Sequence, residues 1–356
     1  MTRLTTRFRF LDTLRGFAIA GILLVNIKDI TRYGGEVLNP TLAQAPIQQG
    51  LNYLVGGRFV PIFELMFGAS LAFIAASARR RGKRPAATLL LRLVALFAIG
   101  VAHTLVYPGE VLKPYAIVGL LCLPLVVWAP RWVLLALGVA GTGVAYGMFG
   151  GGVAGTPGLF LLGAAAVMFG VPERLERPNW IVWLATGALA VATVPALLAQ
   201  ASVPGDPRFS DEGSLAGGVM ALLYIGVLAL LFASPAQRLL CAFFEPLGCM
   251  ALTNYVTASF IVVPIGLQLD WAHQTDLLPT MLTAVGVLVV QSVLSRVWLA
   301  CFRYGPIEWV WRCITWWELV PLRRVSTAPD RGIRCGLSDH VVSQDNLTTR
   351  YTGLRG

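Results

Sequence analysis

Charge is scarce in this sequence. Of its 356 residues only 13% are Asp, Glu, Lys or Arg, about half the ~25% of an ordinary soluble domain, which argues against a water-soluble enzyme. Histidine is scarcer still, with three in the chain, and the six cysteines (Cys122, Cys241, Cys249, Cys301, Cys313 and Cys335) form no Cys-x-x-Cys pair. No metal-ligand motif emerges, and the cysteines read as reduced packing residues. No Walker-type Gly-Lys-Ser/Thr is present to cradle a nucleotide. The 37 glycines and 21 prolines follow no collagen-like period, and the apolar content excludes a disordered chain.

What the chain has is apolar length. It is 56% hydrophobic, with a mean hydropathy of +0.70. Apolar runs recur from Leu14 to Ile27, Phe59 to Ala78, Leu89 to Tyr107, Leu112 to Trp128, Trp132 to Phe149, Leu159 to Val171, Trp180 to Leu198, Leu215 to Phe232, Cys249 to Leu269 and Leu277 to Ala300, the sixth being the shortest. A hydrocarbon core is crossed by about 20 helical residues. Backbone groups in lipid must bond internally and no run alternates with period two, so these are helices and not barrel strands. The expected fold is an all-α polytopic bundle of about ten transmembrane helices, in one domain over residues 1–324.

The net charge of +10 fits orientation in a membrane better than nucleic acid, which is not an expected partner. With the N-terminus in the cytoplasm, about 23 of the 28 basic residues fall on the inner side, including the Arg79 to Arg84 cluster; only Lys28, Arg32, Arg58, Lys113 and Arg208 face outward. Both termini are then cytoplasmic, in a bacterial inner or plasma membrane, with the lipid bilayer as partner. The N-terminal segment, interrupted by Asp12 and Arg15, reads as an uncleaved first span. From Pro306 to Leu322, four tryptophans alternate with Glu308 and Arg312, as in an interfacial amphipathic helix. Residues 325–356 are polar and read as a disordered tail.

Ionisable and polar groups within spans cost a few kcal/mol each and mark function by default. Asp12, Arg15 and Asn26 share one stripe of the first span; Asp12 and Arg15 can equally pair with each other at i, i+3. His103 lies near the outer end of the third span, with Arg92 on the same face and Tyr107, Glu110, Lys113 and Tyr115 close behind. Histidine can act as general base or acyl-accepting nucleophile near neutral pH, with Glu110 or Glu64 to orient it, or it can simply bridge two helices. Glu64 can equally be held in an ion pair by Arg58. Arg15 and Arg92 suit an anionic donor from the cytoplasm, such as acetyl-coenzyme A. Thr253, Asn254 and Tyr255 form a further polar patch, for substrate or for helix packing.

These residues carry a resemblance. Leu11 to Ala18 continuing through Gly21 to Ile27, Phe63 to Gly68, His103 through Glu110 to Ala116, Met250 to Tyr255, and Phe302 to Arg312 together resemble the YeiB-like integral membrane proteins. The resemblance divides the chain into an N-terminal half, 1–171, and a C-terminal half, 172–324. It also implies membership of a wider transmembrane acyltransferase superfamily that includes heparan-alpha-glucosaminide N-acetyltransferase. Sugar acyltransferases of that kind commonly carry a histidine eleven residues after the first-span arginine, where this chain has Asn26. The implied activity is transfer of an acyl group, from acetyl-CoA or another acyl-CoA, to an envelope or small-molecule acceptor. His103, Glu110 and Glu64 are the catalytic candidates; Asp12, Arg15, Asn26, Arg92, Tyr107, Tyr115 and Asn254 are the substrate-binding ones. No metal is expected, and a homo-oligomer is compatible with the sequence. The competing expectations are a transporter or flippase of a small molecule or lipid headgroup, and a non-catalytic scaffold.

Overall fold

The structure is a computed structural model that describes residues 8–35 and 45–324. Arg3, Arg7 and the expected tail at 325–356 lie outside the described residues. Fourteen α-helices follow one another: α1 (Arg9–Ile30), α2 (Ala45–Leu54), α3 (Phe59–Arg80), α4 (Pro85–Thr104), α5 (Leu112–Trp128), α6 (Arg131–Met148), α7 (Thr156–Met168), α8 (Val171–Glu176), α9 (Trp180–Ala201), α10 (Asp211–Phe232), α11 (Gln237–Cys249), α12 (Ala251–Gln268), α13 (Leu277–Cys301) and α14 (Pro306–Trp316). Among the described residues the extended structure amounts to one isolated bridge, Phe302 to Arg323.

Each of the ten apolar runs falls on a helix. Eight helical segments are long and apolar enough to cross a membrane, and two more, Leu112–Trp128 and Gly152–Met168, are apolar but shorter. The chain is therefore an all-α, polytopic membrane bundle. Helix starts follow local chemistry. Asn179, Ser210 and Asp276 accept backbone N–H bonds at the N-termini of α9, α10 and α13, and Pro85 and Pro306 sit in the first turns of α4 and α14, where a missing N–H costs nothing. The last helix stops earlier than its composition implies, because Trp317 turns into the left-handed region at φ 51°.

α1 is the hub. It packs against α3, α8, α10, α11, α12 and α13, so its apolar residues meet protein on nearly all sides. α9 is peripheral: Trp180, Trp183, Leu184, Val191 and Leu198 are all exposed, as a lipid-facing surface requires. The tightest approach joins α1 to α11, a helix too short and too polar to register as an apolar run. A Cβ on Gly16 would stand 1.9 Å from the Phe244 carbonyl oxygen, and one on Gly248 would stand 1.8 Å from that of Asp12. Only glycine lets two backbones meet so closely, the device by which helices associate where no hydrophobic force separates lipid from protein. The same logic brings α3 onto α7 through Gly68 and Gly163.

Candidate functional site

Polar side chains gather at two levels of the bundle, one toward the end where α1 begins at Arg9 and one toward the end where it finishes at Ile30. At the Arg9 end the pairing expected of Asp12 and Arg15 is present, at 3.4 Å, and Arg15 also reaches the Gly248 carbonyl. Arg9 closes a second link to α11 through Glu245 at 2.8 Å. Arg92 comes from α4 into the same region. Its guanidinium stacks on Trp311 of α14 at 3.4 Å, the Trp311 indole donates to the Arg92 carbonyl, and the charges acting on it are those of Arg312, Arg15 and Glu308. Glu308 itself accepts from the Leu252 and Thr253 amides and the Thr253 hydroxyl, capping α12. Three arginines from α1, α4 and α14 thus converge beside one capped carboxylate.

At the Ile30 end the centre is His103. It is 2% exposed, and neither Nδ1 nor Nε2 has a hydrogen-bond partner. Its ring lies 5.3 Å from that of Tyr255 and 6.2 Å from that of Tyr107, and Tyr255 in turn accepts from the Val111 amide. The carboxylates expected to orient the imidazole are engaged elsewhere. Glu110 accepts from the Leu112 and Lys113 amides and pairs with Lys113, so it caps α5. Glu64 accepts from Thr156 at 2.6 Å, with Tyr115 as its other hydrogen-bonding neighbour. The ion pair expected between Glu64 and Arg58 is also absent: Arg58 is fully buried and donates to the Gly56 carbonyl and Gln200.

Glu64 instead lines a cavity of ≈ 230 Å³ with Asn26, Tyr146, Arg208, Ser214 and a set of apolar residues. A second, much smaller void of ≈ 10 Å³ shares Ile22 and Asn26 with it and is lined by Asn254, Tyr255, Ser259 and Gln291. At the rim Arg208 is gripped by Asp29 at 2.6 Å and Asp206 at 2.8 Å. Burial alone would raise the Asp206 carboxyl, but the bonds from Arg208 outweigh it and hold it below the usual range.

The structure brings His103 and Tyr107 into ring contact, sets Glu64 and Asn26 on one cavity wall with Tyr115 bonded to Glu64, and gathers Asp12, Arg15 and Arg92 at the other end; His103 lines neither void. Asn254 belongs to the packing: its amide donates to the Leu247 carbonyl and to Ser295, tying α12 to α11 and α13. Sequence reasoning missed Thr156, Tyr146 and Gln291, and placed Arg312 only as a polar residue of the interfacial helix. The first three lie within or beside apolar runs and had no charge to mark them.

Fold and site together define a polytopic helical membrane protein with buried polar clusters at two depths. The family described as "Protein of unknown function (DUF418)" matches residues 168–318. The chain is 31% identical over 343 residues to the "Uncharacterized 39.9 kDa protein in amylase 3'region" of Bacillus acidopullulyticus, covering 90% of this chain and 96% of that protein. It is 25% identical to "Uncharacterized protein YxaH" of Bacillus subtilis (strain 168), over 89% of this chain and 96% of the relative. Identity to "Uncharacterized protein YeiB" of Escherichia coli (strain K12) is 26%, over 86% and 95%. The chain belongs to this YeiB-like DUF418 family. No solved structure shows significant similarity to it.

Proposed function

We propose that the protein is a membrane-embedded acyltransferase. It takes an acyl group, acetyl in the simplest case, from a coenzyme A thioester on the cytoplasmic side and passes it to an acceptor reached from the opposite side. The Arg9 end, with both termini, is cytoplasmic in a bacterial inner or plasma membrane. The observation that carries the reading is the His103 imidazole, buried with two unpartnered nitrogens. Native proteins rarely leave such atoms unsatisfied, and those that do tend to use them. His103 takes the proton from the acceptor hydroxyl as the oxygen attacks the thioester carbonyl; the carbon–sulfur bond breaks and the proton passes to the departing thiolate. Tyr107 or Asn26 donates to the carbonyl oxygen as charge develops there. Arg15 and Arg92 hold donor phosphates. The eleven residues from Arg92 to His103 rise about 16 Å along α4, the span a pantetheine arm has to cover.

The test is transfer of label from radiolabelled acetyl-CoA to envelope extracts by purified protein. Wild type labels an acceptor and His103→Ala does not; an active His103→Ala removes the central claim. The transporter reading is favoured by a different observation, the Glu64 carboxyl beside a cavity within the bundle. It predicts flux of an unmodified solute that persists in His103→Ala.

A further inference from the structure

The ≈ 230 Å³ cavity is room for seven or eight waters at ~30 Å³ each. Its polar lining is unevenly equipped. Glu64, 2% exposed, offers a carboxylate whose Oε1 takes the Thr156 hydroxyl. The Asn26 amide makes no hydrogen bond among the described residues and stands where the two voids meet. Gln291 spends its NH2 on the Asn254 carbonyl and the Thr257 hydroxyl, which leaves its buried Oε1 with no donor; Gln291 lines the smaller void. Arg208, the one cation on the wall among the described residues, is already committed to Asp29 and Asp206. The crevice therefore offers neutral donors and acceptors together, the Tyr146 and Ser214 hydroxyls and the Asn26 amide beside the Glu64 carboxyl, and no uncommitted charge to hold an anion. An anion would face Glu64 with no free positive charge, and an apolar ligand would leave Gln291 Oε1 and Asn26 unsatisfied at a cost each.

We infer that this crevice between α1, α3, α6 and α10 binds a small polyol, whose adjacent hydroxyls donate to Glu64 and, past Asn26, toward Gln291. Beside the Arg208 cluster, part of the rim is apolar, with Phe209 and Val60 exposed, so the polyol arrives either free or as the headgroup of a lipid whose chains stay against that part. The tyrosine ring of Tyr255 lines the smaller void on one side and faces His103 on the other. If the acyl-transfer reading stands, the polyol is the acceptor; the binding site itself does not depend on that reading.

The experiment uses the full chain in phosphatidylcholine nanodiscs with dicyclohexylcarbodiimide, an apolar reagent that modifies carboxyl groups out of water, and peptide mass at Glu64 as readout, with Glu64→Gln as blank. Glu64 labels, and glycerol slows the labelling in a saturable way; replacing part of the phosphatidylcholine by phosphatidylglycerol tests the lipid source. Protection by free glycerol identifies a soluble polyol, protection only by phosphatidylglycerol a lipid headgroup. Asn26→Leu, which keeps the cavity wall, weakens the protecting ligand about tenfold, as loss of one buried hydrogen bond does. Absence of labelling, or labelling that neither polyol slows, overturns the inference. Protection without acyl transfer in the radiolabel assay leaves this site standing and removes the acyltransferase reading alone.

Discussion

Gly248→Ala is the most direct probe of how the Arg9 end is built. The added methyl carbon would sit 1.8 Å from the Asp12 carbonyl oxygen and 2.7 Å from the Gly16 amide nitrogen. Both are backbone atoms of a helix buried on nearly all sides, so neither can swing away, and relief requires α11 to withdraw from α1. Withdrawal lengthens the Arg9 to Glu245 bond of 2.8 Å and the Arg15 bond to the Gly248 carbonyl. Overpacking of this kind costs about 1–3 kcal/mol, and the ion pair, a third exposed at Arg9, adds a fraction of the several kcal/mol that a buried pair loses when broken. A loss of about 2–4 kcal/mol follows, or several degrees in melting temperature. Gly187 and Gly286, helical positions with nothing within 4 Å, supply the control. Alanine there gains up to ~1 kcal/mol of helix propensity. Thermal unfolding in one detergent, followed by tryptophan fluorescence, compares the three variants. A Gly248→Ala protein that melts with Gly286→Ala would refute the close α1 to α11 contact and the placing of Asp12 and Arg15 that rests on it.

Three further outcomes are expected. His103→Leu raises the melting temperature, because it removes two buried unsatisfied nitrogens costing about 1–3 kcal/mol, while the proposed acyl transfer is lost; a fall in stability would mean that the imidazole has a structural partner. Glu308→Ala leaves the Leu252 and Thr253 amides uncapped and destabilises by about 1–2 kcal/mol, with faster hydrogen exchange confined to the first turn of α12 as the check. The Asp206 carboxyl is held below its ordinary pKa of ~3.9, so its clamp on Arg208 contributes fully above that value and is lost as pH falls through the lower folded value. The melting-temperature gap between wild type and Asp206→Asn is therefore constant above about pH 5 and closes below about pH 4; a gap that persists into acid contradicts it.

The spans were legible because twenty apolar residues leave the chain one way to satisfy its backbone. α11 was not, since Gln237, Arg238 and Glu245 break its hydropathy and its partner is named only by a glycine 232 residues away, a long-range contact no local pattern encodes. His103 stood out as an ionisable group in an apolar run, and it lies buried there with both ring nitrogens unpartnered. Its expected carboxylate did not follow, because Glu110 stands two residues before α5 and caps it, a use that spacing alone predicts as well as a catalytic one. The Arg58 to Glu64 pair failed for a related reason: six residues place them on different faces of the chain, and Gln200, far along the sequence, competes for the guanidinium.

α1 is made long before its tightest partner, α11. Its Arg9 meets Glu245 across 236 residues, which at ~5–20 residues per second of synthesis is on the order of tens of seconds. Throughout that interval α1 can hold its own Asp12 to Arg15 pair and pack on α3, but Arg9 has yet to meet Glu245 and Arg15 the Gly248 carbonyl. The Arg9 end of the bundle therefore closes only once α11 has been made, when the Gly16 to Gly248 approach and the Arg9 to Glu245 link become possible together.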